Sequence, residues 1–174
     1  MTEEDIDPEE TEESIEDPPS LELLNLLPNP DEMPLEDYLK AMGVFCIQMH
    51  NHLHPVEIAK LAPLFVSSKF HVKASPEIYM IATSLKEYLS NVKYFRKTNP
   101  HYHVVSKNLS VDLNEELGEA TLIATMETHG LLGASDNLVR QSVYMGHWRR
   151  RKHTGRWYAQ RLEIIRGPGS EPTF

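Results

Sequence analysis

From Pro34 to Asn51 the apolar residues Leu35, Tyr38, Leu39, Met42, Phe45, Cys46 and Met49 recur at steps of three and four. That spacing puts them on one stripe of a helix and leaves the opposite face wettable, so it predicts an amphipathic helix over 34–51. Pro55 stands where a first helical turn tolerates its missing N–H, and Val56, Ile58, Ala59, Leu61 and Ala62 carry a second, short helix to about Pro63. Ser68 to Lys73 alternates as a strand does, and Glu77 to Ala82 could pair with it across Ser75-Pro76. Ser84 is placed to cap a third helix with the stripe Leu85, Tyr88, Leu89, Val92 and Phe95. Lys93, Arg96 and Lys97 then meet the free carbonyls at its end.

After Asn99-Pro100 the texture becomes β-type in four runs: His101 to Leu113, Glu119 to Leu132, Leu138 to Arg151 and Arg156 to Arg166. The links are short and turn-rich: Asn114 to Gly118, Gly133 to Asn137 and Lys152 to Gly155. Parallel strands need long crossovers, so these links predict an antiparallel meander. Three helices followed by one long, curved sheet specify an α+β fold with the helices on one face of the sheet.

The first 30 residues break this pattern. They combine a Glu/Asp run with Pro8, Pro18, Pro19, Pro28 and Pro30, a composition that buries too little apolar area to offset its ordering entropy. The expected organisation is a disordered acidic tail over 1–30, one domain over 31–168 and a flexible end over 169–174. Inside the tail, Leu21, Leu23, Leu24, Leu26 and Leu27 form an apolar knot, expected to dock on the body rather than on a partner. Ten of the 26 acidic side chains lie in residues 1–20, so the body has 16 acidic against 17 basic residues despite the net charge of −9. A nearly neutral body has no global field for nucleic acid or an anionic membrane, and the expected partner is a small hydrophobic organic ligand chosen by shape. Cys46 is the one cysteine, and the N-terminus has no basic, apolar leader; together these point to a cytoplasmic setting.

The order of elements over about 34–166, and the phrase Gly146-His-Trp-Arg-Arg-Arg-Lys-His-Thr-Gly155-Arg-Trp157, resemble the SnoaL-like branch of the nuclear-transport-factor-2-like superfamily. The resemblance implies a cone in which helices and a concave sheet enclose a pocket. Within that superfamily the helix opening Asp37-Tyr38-Leu39, together with His103 and His129 on adjacent strands, resembles the fungal scytalone dehydratases. It implies that the two histidines face each other in the pocket. The dehydratases also use an aspartate at the end of the first helix, where this chain has His50-Asn51-His52-Leu53-His54.

By period two, Thr125, Glu127 and His129 share one strand face, while Ala120, Leu122, Ala124, Met126 and Thr128 share the other. If the polar face lines the cone, His129 and His103 can exchange protons near neutral pH, with Glu127 orienting His129 or acting as base. If it faces water or a subunit, the apolar face is core; alternation alone does not choose. The candidate catalytic residues are thus His129, His103 and Glu127. His101, His103 and His129 or His147 could instead hold a metal, but His-x-His is a weak pattern and His101 abuts Pro100, so neither metal nor other cofactor is expected. His50, His52 and His54 are read as a helix terminus. Arg149 to His153 falls at a hairpin without interleaved aromatics and is read as a solvated turn, not a nucleic-acid site.

Two functions remain open. One is a cofactor-independent lyase, isomerase or cyclase acting by acid/base catalysis on a polyketide- or terpenoid-like molecule. The other is a non-catalytic binding or interaction module on the same cone. A wide sheet face bearing apolar residues also predicts a homo-oligomer formed through the sheet.

Overall fold

The computed structural model describes residues 17–74, 81–131 and 139–166. Ser20 accepts a hydrogen bond from the amide of Leu23 (3.2 Å) and starts a single turn, α1 (Leu21–Leu24). Leu23 is buried, Leu27 packs on the core, and α1 rests against a later helix, so these two leucines of the knot dock on the body while Leu21, Leu24 and Leu26 stay exposed. A 3₁₀ turn follows at Pro30–Glu32, its Asp31 amide bonded to Asn29 Oδ1 at 3.0 Å. The tail expected as far as Pro30 therefore carries local structure from Ser20 onward, because burial of Leu23 and Leu27 offsets part of the ordering cost. Residues 1–16 and 169–174 lie outside the described residues.

The first predicted helix is α2 (Leu35–His52), with Leu39, Met42, Gly43, Ile47, Met49 and His50 buried. His54 caps α3 (Pro55–Leu61) in a reciprocal pair: its ring accepts from the Val56 amide (3.4 Å), and its own amide donates to Glu57 Oε2 (2.7 Å). A 3₁₀ turn at Ala62–Leu64 leads into β1 (Val66–Ala74). Ser84 caps α4 (Leu85–Thr98) by accepting from the Glu87 amide at 3.2 Å. The Arg96 guanidinium near its end donates to the carbonyls of His50 and Leu53, satisfying acceptors that the end of α2 would leave open. The segment expected to pair with β1 shows one antiparallel bridge, Val72 to Ala82; residues 75–80 lie outside the described residues.

The meander is β2 (His103–Asn114), β3 (Glu119–His129), β4 (Arg140–Arg150) and β5 (Trp157–Arg166), each antiparallel to the next. Its links at 114–118 and 151–156 turn through Gly118 and Gly155, both at positive φ; the link at 132–138 lies outside the described residues. The sheet order is β1-β5-β4-β3-β2, and β1 runs parallel to β5. The sheet is therefore mixed rather than wholly antiparallel. Short links fix only the four meander strands; α4 and three strands separate β1 from β5, long enough a connection for a parallel neighbour.

The helices cover one face of this sheet. A Cβ at Gly43 would come within 2.8 Å of Leu109 Cδ1 and Leu122 Cδ2, so the missing side chain lets α2 lie close over β2 and β3. Leu122 is fully buried, and Ala120, Ala124 and Met126 share its face of β3. Asn51 of α2 bonds the backbone of Val104 in both directions (2.8 and 2.6 Å), locking helix to strand. Among the described residues no helix is long and apolar enough to cross a membrane.

Candidate functional site

The apolar face of β3 is the helix-side face, so Thr125, Glu127 and His129 point to the other side of the sheet. The register pairs His103 with His129, and their ring centroids are 6.3 Å apart. The two histidines thus meet, as the dehydratase resemblance implies, but on the outer face instead of inside the cone. Glu127 accepts a hydrogen bond from Lys107 Nζ at 2.8 Å, a half-exposed ion pair rather than a base poised beneath helices. The expectation that these three side chains line the cone is corrected by this placement: the close approach of α2 at Gly43 puts the other face of β3 inside.

Of the histidines considered as metal ligands, His103 and His129 pair while the other two stand apart from them. His101 lies in the turn before β2, and His147 sits on the outer face. Among the described residues no three His, Cys, Asp or Glu side chains are grouped to hold a metal ion. His147 belongs instead to a cross-strand row, His71, Arg161, His147, Thr121, at the edge of a hollow of about 310 Å³. Arg161 Nη2 lies 3.1 Å from His147 Nε2. A guanidinium only donates, so Nε2 accepts and the ring hydrogen sits on Nδ1, 3.5 Å from Thr121 Oγ1. Glu163 Oε1 is 3.0 Å from Arg161 Nε, close enough for an ion pair but not aligned for a hydrogen bond. Burial, and then the Arg161 charge, hold the His147 imidazole below its ordinary pKa.

Inside the cone the polar groups are ones that pattern reading passed over. His50 of α2 is buried, and its Nε2 lies 2.9 Å from the hydroxyl of Tyr88 on α4. Loss of hydration, and then the nearby Arg96 charge, lower the His50 pKa to about 4, so the ring is neutral at pH 7. Burial raises the Tyr88 and Tyr144 phenols well above their ordinary range, and Cys46 adds to both shifts. Cys46 itself is pushed up to about 12 by burial, although part of its surface is accessible. Every one of these groups is uncharged at neutral pH. The ring of Tyr144 folds back over Gly146, where a Cβ would come within 2.9 Å of the phenol oxygen.

Leu109, Val111 and Leu113 of β2 face the helix side yet are only half-buried, as are Tyr38 and Cys46 on α2. A one-residue bulge between Lys107 and Ser110, with Asn108 at φ 52°, re-phases β2 so that these three apolar residues turn inward. The signal for His50 was present in the sequence: it falls four residues after Cys46 and seven after Gly43, on the buried stripe.

No protein-family model matches this chain. No curated protein matches it either. Among solved structures it is similar to a Caulobacter vibrioides protein with a cystatin-like fold, at TM-score 0.61 and 11% identity over 76% of this chain and 89% of that one. An NTF2-like protein with a cystatin-like fold from Novosphingobium aromaticivorans gives 0.55 and 14%, covering 78% and 85%. A candidate ketosteroid isomerase from Shewanella frigidimarina gives 0.52 and 13%, covering 72% and 94%. At these identities the likeness concerns architecture, and with the helix-covered sheet described above it means that the chain has the α+β fold of the NTF2-like, cystatin-like proteins.

Proposed function

We propose that this chain is a cofactor-independent lyase, isomerase or cyclase acting by acid/base chemistry on a small, uncharged polyketide- or terpenoid-like molecule in the cone. The observation that carries this reading is the buried His50–Tyr88 contact of 2.9 Å on the helix side of the sheet. A neutral imidazole can present Nε2 as donor or acceptor. With hydrogen on Nε2 it donates to the phenol oxygen, and the Tyr88 O–H is free to donate to a substrate oxygen. In the other tautomer the phenol donates to Nε2, and its oxygen can accept. One contact therefore supplies both acid and base at a single oxygen. The half-buried apolar side chains of β2 and α2 favour hydrophobic molecules, and an interior of neutral groups would leave a charged one unpaired.

The test uses α-tetralone, an uncharged bicyclic ketone, with its uptake of deuterium next to the carbonyl followed by NMR. Wild type is expected to accelerate exchange, and Tyr88→Phe to reduce the acceleration by about 10²- to 10⁴-fold. His129→Asn, on the outer face, is expected to leave it unchanged. Equal rates for wild type and Tyr88→Phe, with both folded, would remove the proposal.

The interaction reading is favoured by a separate observation. On the outer face, Ile123, Met145, Val143 and Ile165 adjoin across β3, β4 and β5, and Ile123 and Ile165 are 37% and 46% exposed. Around them Lys107 pairs with Glu127 and Arg149 with Glu119, a rim of both signs that a second copy can match. Association through the sheet is therefore part of the proposal. Sedimentation should show a species larger than 20.0 kDa that Ile123→Glu converts to monomer; a wild type monomeric at millimolar concentration would rule it out.

A further inference from the structure

An apolar concavity lies away from the outer sheet face. It is about 420 Å³ and runs along the outward side of α2, with Leu26 and Pro28 as one wall and Ala41, Val44, Gln48 and His52 as the floor. The floor residues follow steps of three and four, so they form a single stripe, and Asp37 begins the same stripe one turn earlier. From residue 41 to 52 the stripe extends about 17 Å, the length of roughly three helical turns. α1 and the turn after it leave Leu21, Leu24 and Leu26 at 73%, 36% and 51% exposure. Single exposed leucines are ordinary, but Leu26 walls an apolar trough and the other two precede it by two and five residues in the chain.

The stretch of chain that leads into the trough, walls it and opens α2 carries almost entirely one sign of charge. Asp17, Glu22, Asp31, Glu32, Glu36 and Asp37 are all exposed, and the one basic residue between positions 17 and 40, Lys40, is already paired with Glu36 at 2.7 Å. The geometry points to a docking groove for an amphipathic helix of a partner protein, its apolar stripe lying between the Leu26–Pro28 segment and α2 and its Lys or Arg flanks meeting the acidic rim. Helix-in-groove recognition of this kind takes its affinity from apolar anchors, and its charges choose the partner and the orientation. A neutral or acidic helix would leave the rim unpaired, and a second copy of this chain would bring the same acidic rim against itself.

The probe is a synthetic helical peptide with Leu at i, i+3, i+4 and i+7 and Lys at the flanking positions, compared with an analogue carrying Glu in place of Lys. Binding is read by calorimetry and by amide shifts. The Lys peptide should bind, shifting amides along Ala41 to His52, and the Glu analogue should bind at least about tenfold more weakly. Leu26→Gln at an exposed position and Val44→Gln at a half-buried one should each weaken the Lys peptide by about tenfold, while Ile123→Glu should not. Equal binding of the two peptides would overturn the proposal. So would Lys-peptide affinity unaltered in both Gln variants, which would assign the binding to acidic charge alone. Self-association of the free chain abolished by Val44→Gln would overturn it as well, because a second copy would then fill the groove.

Discussion

Gly130→Ala is expected to destabilise the fold by about 3–5 kcal/mol, a large fraction of the roughly 5–15 kcal/mol of a typical domain. Gly130 ends β3 with φ +71°, where an L side chain is already strained by about 1–2 kcal/mol. Its missing Cβ would also stand 2.0 Å from the carbonyl oxygen of His101 and 2.5 Å from that carbonyl carbon. Both are backbone atoms, so no rotamer change relieves the overlap. The end of β3 and the turn before β2 must separate, disturbing the His103–His129 pairing and the edge-on packing of Tyr102 against Phe95 (4.8 Å). Gly155→Ala is the control, since Gly155 has φ +69° but nothing within 4 Å of its Cβ position. It should lose only about 1 kcal/mol, from the backbone alone. Equal midpoints for the two variants in urea would mean that the close approach at His101 is not there.

The contrast between those glycines shows where pattern reading stops. Hydrophobic periodicity located α2, α4 and the four meander strands to within a few residues, because burial of one stripe or face is what selects each element. It could not say which face of β3 is inside. Alternation is symmetric, and the deciding contacts, Gly43 against Leu109 and Leu122, join residues 66 or more positions apart. The parallel pairing of β1 with β5 escaped for the same reason. His50 escaped for a different one: its position after Cys46 marks it as buried, but its neighbours His52 and His54 suggested a solvated helix end. In the structure the three histidines have unrelated tasks. His50 bonds Tyr88, His52 borders the groove along α2, and His54 caps α3.

Stability should fall in acid through His50. Its folded pKa of about 4 lies below the ordinary 6.5, so the unfolded chain takes up the proton first as pH falls. Between those values the unfolded state binds more protons, and stability rises with pH. The contribution is complete above pH 6.5, declines below it and is lost near pH 4. At about 1.4 kcal/mol per pKa unit its full extent is about 3 kcal/mol. His147 is shifted in the same direction, but its exposure to water makes it a minor partner. Other groups also titrate in acid, so the measurement is a difference: unfolding free energies of wild type and His50→Gln from pH 7 to 4.5. Glutamine can still bond Tyr88 but takes no proton, so the variant should lose close to one proton's worth of slope across this range. Parallel curves would mean that His50 is solvated, and the acid/base reading of its contact with Tyr88 would fall with the burial on which it depends. A difference in slope would instead mean that the imidazole is buried and neutral at neutral pH, the state in which Nε2 either donates to or accepts from the Tyr88 hydroxyl according to its tautomer.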